Sequence, residues 1–258
     1  MDWSAYLLML AVLAGIAVVF WVVSVVREDV SIVDSLWSLM FLVVAAGYAM
    51  QVGLDGARGV LILLLVAVWS LRLSWYITRR NHGEGEDRRY QKIRENNQPG
   101  FWFKSLYIVF GLQALLAWLV AMPLAVAVGS GAPLGWFDLA GVVLWLIGMV
   151  FEVGGDAQLA AFKADPDNEG KVLDTGLWRY TRHPNYFGEF TLWWGYWLIA
   201  VGAGGWWTIA SPVLMSILLL RVSGVALLEK DIGERRPKYA DYIERTNAFF
   251  PGPPRNAD

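Results

Sequence analysis

Seven apolar runs, near residues 5–26, 31–52, 59–78, 102–129, 134–154, 185–203 and 206–228, account for most of this chain. A helix needs about 20 mainly apolar residues to cross a bilayer. The runs therefore predict an all-α, polytopic membrane protein with seven transmembrane helices. Composition agrees, since 57% of the 258 residues are hydrophobic, against about 45–50% in soluble domains. Many of the 15 tryptophans lie near the ends of runs, as in an interfacial aromatic belt. The first run lacks a basic leader and a small-residue cleavage site, so it reads as a retained helix. With no internal repeat, residues 1–258 read as a single domain.

Charge and residue usage exclude several classes. A net charge of −2 gives no reason to expect a nucleic-acid partner, and no obligate protein partner is evident. The chain has no cysteine and only His82 and His183. Disulfides, thiolate ligands and Cys nucleophiles are excluded, and no metal centre is expected.

Basic residues predict the orientation. Arg79, Arg80, Arg88, Arg89, Lys92 and Arg94 lie between the third and fourth runs. Lys163, Lys171, Arg179 and Arg182 lie between the fifth and sixth. Lys230, Arg235, Arg236, Lys238, Arg245 and Arg255 follow the seventh. The other side carries only Arg58. Positive loops stay inside, which puts the N-terminus outside and the C-terminus in the cytoplasm. The outer loops are short: GLDGAR from Gly53, SGAP from Ser130 and GAGG from Gly202. The inner ones are long and polar, and on charge alone they read equally well as solvated loops.

The segment Arg179–Glu189, RYTRHPNYFGE, is the densest polar motif. Pro184 disfavours helix at His183 and suits a first helical turn, so the sixth helix is predicted to start here. Its unpaired N–H groups and positive dipole end suit an anion or an amide oxygen. Asn185 and Glu189, four residues apart, project from one face. Together they offer an amide donor and acceptor plus a carboxylate acceptor, the complement of a carboxamide such as that of nicotinamide. Arg179 and Arg182 suit phosphates. A snorkelling basic cap would account for the arginines but not for Asn185 with Glu189. Asp156 and Lys163 share a face if the fifth helix continues past residue 154.

GLWRYTRHPNYFGE, the aromatic-rich run after it and KYADYIERTNAFFPG in the tail resemble the steroid 5-alpha-reductase family, its bacterial members included. The likeness covers most of the chain and is strongest from Phe151 onward. It implies a seven-helix membrane reductase that uses NADPH on the C4–C5 double bond of 3-oxo-Δ4 steroids or similar lipophilic enones. A bacterial inner-membrane location follows, with the active site facing the cytoplasm. HPNYFGE is similar, more distantly, to sterol C14 reductases. Isoprenylcysteine methyltransferases carry a related His-Pro-x-Tyr-x-Gly pattern and bind S-adenosylmethionine; Asn185 and Glu189 favour the reductases.

The resemblance implies site residues. Asn185 and Glu189 match positions that bind the nicotinamide end, and Asp156 matches a cofactor-binding Asp. Four residues before it, Glu152 stands where better-known members have Asn. Asn81 matches a cofactor-binding Asn, and Lys163 replaces an arginine. Arg179, Tyr180, Arg182, His183 and Tyr186 are cofactor neighbours, and Tyr239, Tyr242 and Arg245 of the tail cover it. Residues 1–100 are expected to serve mainly the substrate and 101–258 mainly the cofactor.

Enone reduction needs a group that stabilises charge growing on the carbonyl oxygen. The family has a Gln-Glu pair early in its second helix and a Tyr in its third. SIVDSLWSL supplies Asp34, with Val33 at the Gln position. A charged group in a span costs about 2.5–3.5 kcal/mol on insertion scales and reads as functional. Asp34 is thus the candidate catalytic acid, expected to donate a proton as a neutral carboxyl. It reads alternatively as a helix-start residue near the interface. WSLRLSWY has no Tyr at the matching place, and Arg72 and Tyr76 are the candidate substitutes, though Arg72 also suits snorkelling. Two other functions stay open: a methyltransferase using S-adenosylmethionine, and a non-enzymatic sterol- or lipid-binding protein.

Overall fold

The computed structural model describes residues 1–222 and 239–255. The described residues are helical, with no strand among them. In chain order they form α1 (Trp3–Arg27), α2 (Ile32–Val52), α3 (Ala57–Asn81), α4 (Arg88–Asn96), α5 (Phe101–Val120), α6 (Met122–Val128), α7 (Trp136–Ala164), α8 (Pro184–Gly202), α9 (Trp206–Val222) and α10 (Tyr239–Arg245). Local chemistry sets the ends. Asp2 caps α1, its carboxylate accepting from Ala5 N–H at 3.0 Å, and Glu28 closes that helix in the left-handed region at φ 53°. Pro123 lacks the N–H that would bond back one turn, and the predicted run 102–129 accordingly divides at Ala121 into α5 and α6. Pro184 opens α8, where the sequence predicted a helix start.

Five helices, α1, α2, α3, α5 and α7, are long and apolar enough to cross a membrane. The sequence predicted seven. α8 occupies the sixth predicted place over 19 residues, but Asn185, Glu189, three glycines and many Trp and Tyr dilute its apolar character. α9 occupies the start of the seventh and is a shorter apolar helix. The rest of that run, 223–228, and the basic residues Lys230, Arg235, Arg236 and Lys238 lie outside the described residues.

The helices fall into two compact units. One comprises Met1–Gly135 with Ala200–Thr208. In it α2 packs against α1 and α3, with α5 and α6 completing the bundle. Leu13, Met40, Phe41, Val44, Ile62 and Trp69 form its core. The outward face of α1 is apolar, with Leu7, Val19 and Val26 among its exposed side chains, as lipid contact requires. Arg58, the basic residue on the predicted outer side, is 1% exposed. Its guanidinium donates to Ser130 Oγ at 2.9 Å, Ala132 O at 3.2 Å and Pro133 O at 2.8 Å, so it anchors the 130–133 loop.

The second unit comprises Trp136–Ile199 and the described residues from Ile209 on. Its centre is the α7–α8 crossing. Gly141, Gly148 and Gly155 recur every seven residues on α7, and Gly188 and Gly195 do so on α8. A Cβ at Gly188 would lie 2.4 Å from Glu152 N, and one at Gly148 would lie 2.6 Å from Gly188 O. The backbones thus meet where side chains are missing, the small-residue packing typical of membrane helices. Trp145 Nε1 donates to the Tyr196 hydroxyl at 3.0 Å across this crossing.

Candidate functional site

Close approach of α7 and α8 brings polar residues of both helices together. α7 continues to Ala164, ten residues past its predicted end, and so carries Glu152, Asp156 and Lys163 on one helix. Glu152 and Asp156 are 2% and 4% exposed. Asn185 Nδ2 donates to Asp156 Oδ1 at 3.2 Å, and Asn185 Oδ1 accepts from Tyr186 N at 3.0 Å. Glu189 follows one turn later on α8. The seat of this pair is Gly155, where an added Cβ would lie 3.0 Å from Pro184 Cγ and 3.1 Å from Asn185 N. Asn185 and Asp156, 29 residues apart in sequence, are therefore neighbours, with Glu189 one turn along α8.

The loop before α8 is held by the tail. Thr181 Oγ1 donates to Phe249 O at 2.7 Å, and the Tyr242 hydroxyl donates to Trp178 O. Phe249 and Phe250 pack edge-on against Phe187 and Phe190 of α8. Arg182, predicted to meet phosphate, is 7% exposed and donates to Ile243 O at 3.1 Å and Thr246 O at 2.7 Å. It satisfies carbonyls at the end of α10, a structural task that the sequence did not suggest. His183 is buried, with its ring 5.9 Å from that of Tyr186. Tyr239 and Tyr242 are buried in the tail. Arg245 pairs with Asp174 at 3.6 Å between exposed side chains. Arg179, Tyr180 and Lys163 are exposed. Those three and Arg245 remain at the surface.

The first unit carries a separate polar cluster. α4 begins at the N-cap Asp87, whose carboxylate accepts from Arg89 N. Ser31 Oγ accepts from Asp87 N at 2.7 Å, which lays α4 beside the start of α2. There Arg89 Nη2 meets Asp34 Oδ2 at 2.7 Å, and the Tyr90 hydroxyl donates to Asp34 Oδ1 at 2.6 Å. Both carboxylate oxygens accept, so Asp34 stands as an ion-paired acceptor instead of the expected neutral donor. The groups that grip it come from α4; Arg72 and Tyr76 are half-buried on α3. Asn81, the last residue of α3, accepts from Arg80 Nε at 3.0 Å. Burial, and then the Asp34 charge, push the Tyr90 hydroxyl well above its ordinary range, so it keeps its proton. Burial alone would lower Arg89, but Asp34 and Asp87 outweigh it and hold the cation. The sequence did not single out Tyr90 or Arg89. The available signal was the N-cap pattern DRRY after a glycine-containing loop, which places a helix but names no partner 56 residues away.

A second ion pair straps α4 down. Arg94 donates to Glu86 at 2.7 and 2.8 Å and to Glu28 O at 3.0 Å, and Glu86 also accepts from Val30 N at 3.0 Å. Burial raises Glu86, but the Arg94 and Val30 hydrogen bonds outweigh it and hold the carboxyl below 4.5. A depressed carboxylate stabilises the fold above its unfolded value and loses that contribution as pH falls through the folded one. Wild type is therefore expected to melt above Glu86→Gln at neutral pH, with the Tm difference closing below about pH 4. A pH-independent difference would remove the Glu86 charge from the strap.

Relatives place the chain. A family profile described as "Protein of unknown function (DUF1295)" matches residues 20–246. An uncharacterised protein of Schizosaccharomyces pombe is 28% identical over 90% of this chain and 76% of its own length. Shorter stretches match 3-oxo-5-alpha-steroid 4-dehydrogenase 1 of Bos taurus, 37% identical, and a steroid 5-alpha-reductase of Gossypium hirsutum, 36% identical. These cover 26% and 24% of this chain and the same shares of the two enzymes. No solved structure matches the chain. With the profile spanning most of its length, the chain belongs to the DUF1295 family, the steroid 5-alpha-reductase-like family.

Proposed function

We infer that this chain is a membrane-embedded, NADPH-dependent reductase of the activated double bond of lipophilic enones, of which 3-oxo-Δ4 steroids are the type. The observation that carries the reading is the Asn185–Asp156 hydrogen bond at 3.2 Å, with Glu189 one turn along α8. The donor set fits a nicotinamide. Asn185 and Glu189 offer the amide and carboxylate that a carboxamide needs, and Asp156 orients the Asn185 amide. Exposed Arg179 and Lys163 suit the phosphates, while Arg182 is committed to the tail. When bound, NADPH supplies the hydride that the β-carbon of the enone accepts.

The chain's own task is then to stabilise charge on the carbonyl oxygen. Tyr90 does this in our reading. Its hydroxyl, held protonated, turns from Asp34 to donate a hydrogen bond to that oxygen, and Arg89, whose guanidinium lies 5.6 Å from the Tyr90 ring centroid, helps balance the charge that grows there. Asp34 positions both groups. This assigns the missing Tyr to α4 and makes Arg72 and Tyr76 supporting residues of α3. The reading keeps seven spans, with the N-terminus outside and the cofactor taken from the cytoplasm.

Thermal stabilisation of the detergent-solubilised protein tests the cofactor. NADPH is expected to raise Tm and S-adenosylmethionine to leave it unchanged. In Asn185→Ala and Glu189→Ala the NADPH effect is expected to weaken by at least about tenfold in Kd, the cost of about 1.4 kcal/mol. Unchanged NADPH affinity in both variants would sink the assignment. Stabilisation by S-adenosylmethionine alone would favour a methyltransferase, and binding of steroid without NADPH oxidation a lipid-binding protein.

A further inference from the structure

Between α8 and α9 lies an open groove of about 470 Å³, within the roughly 300–1,000 Å³ range of sites that hold small organic ligands. Phe190 and Trp194, one turn apart on α8, form one wall. Val213, Ile217 and Leu220 on α9 form the other, and Arg221 closes one end. The lining is apolar apart from Arg221 and Ser216, whose hydroxyl is turned back to Pro212 O at 2.6 Å. Val213 and Ile217 are 42% and 46% exposed, so the groove opens on an apolar outer face of α9. The last turn of α9, Leu218–Val222, is π-helical, a local widening that often marks functional positions.

Two polar groups here have no partner among the described residues. Arg221 makes no hydrogen bond or ion pair with another described residue. The Trp194 indole N–H is shielded from solvent and has no acceptor among the described residues. A neutral enone gives no reason for a guanidinium at the end of an apolar groove, whereas an anionic amphiphile does. Arg221 lines the groove together with Phe190, six residues or about 9 Å along α8 from Pro184; with Pro184 at the membrane surface, as the proposed seven-span reading has it, that is the depth at which headgroup and acyl chain meet. Basic pockets between membrane helices are a recurrent way to hold acidic headgroups.

We propose that this groove binds an anionic phospholipid, with its phosphate at Arg221, an ester oxygen at the Trp194 N–H and an acyl chain along Phe190, Val213, Ile217 and Leu220. The site is independent of the reductase chemistry, and its test needs no activity.

Native mass spectrometry of the full chain in detergent, with equal phosphatidylglycerol and phosphatidylcholine, reads the preference directly. Wild type is expected to retain phosphatidylglycerol at least fivefold over phosphatidylcholine. Arg221→Gln is expected to abolish the preference, and Arg221→Lys to keep most of it, which shows that charge and not folding is at issue. Equal retention of the two lipids by wild type overturns the proposal, as does an unchanged preference in Arg221→Gln. Oleate that displaces phosphatidylglycerol from wild type at equal concentration also overturns it, assigning the groove to a carboxylate.

Discussion

Gly188→Ala is expected to break the second unit, although it adds a single methyl group. That methyl carbon would lie 2.4 Å from Glu152 N and 2.5 Å from Gly148 O. Both are backbone atoms within helices and cannot swing aside as a side-chain end does. α7 and α8 must separate, and every contact along the crossing loosens with them. Overpacking of a filled interior costs about 1–3 kcal/mol and sometimes more, and the upper end is expected here. The Asn185–Asp156 bond depends on the same approach, so NADPH binding is expected to fall with Tm. Gly15→Ala on α1 is the control, since nothing lies within 4 Å of its added carbon. A Tm for Gly188→Ala equal to that of the control would show that the crossing tolerates separation.

Tyr90→Phe is expected to cost about 10²–10³-fold in kcat, the usual loss when one charge-stabilising donor is removed. The phenyl ring keeps its packing, and the cofactor residues are untouched, so the Kd for NADPH is expected to hold. Steady-state reduction of a 3-oxo-Δ4 steroid under saturating NADPH is the measurement. A wild-type kcat in Tyr90→Phe would return the donor role to Asp34, Arg72 or Tyr76. Asp34→Ala is a harsher change, because it removes one of the two carboxylates that hold the partly buried Arg89 and takes the acceptor from the Tyr90 hydroxyl. Loss of folding in that variant alongside a folded, inactive Tyr90→Phe separates the positioning role of Asp34 from the donor role of Tyr90.

Much of the fold is legible because helix formation in a membrane is written in apolar length. The first three helices fall within a few residues of their predicted bounds, and the α8 start at Pro184 follows from backbone sterics alone. α7 outruns its prediction because Glu152, Asp156, Gln158 and Lys163 end the apolar run without ending the helix. The sevenfold glycine spacing of α7 and α8 was in plain view, yet a missing side chain says nothing of what approaches it. The candidate site divides in the same way. Asn185 and Glu189 are local, four residues apart on one helix, and the bond of Asn185 to Asp156 needed only the continuation of α7. Tyr90 and Asp34 are joined by a turn and a nine-residue helix, and no periodicity in either segment refers to the other. The carbonyl partners of Arg182 were not legible, because a guanidinium that binds phosphate and one that binds backbone carbonyls have the same one-letter code.

The anchoring of the tail on the segment before α8 bears on how this protein is handled at the bench. Arg182, Thr181 and Trp178 are each tied to residues between Tyr242 and Phe249. Reporter fusions made by cutting the chain after successive helices, the usual way to map sidedness, would discard those residues from every shortened version. Such fusions would report on insertion while the motif-bearing loop had lost its tether. Full-length protein with tags inserted in the 53–55 and 83–85 turns keeps the tether and answers the same question.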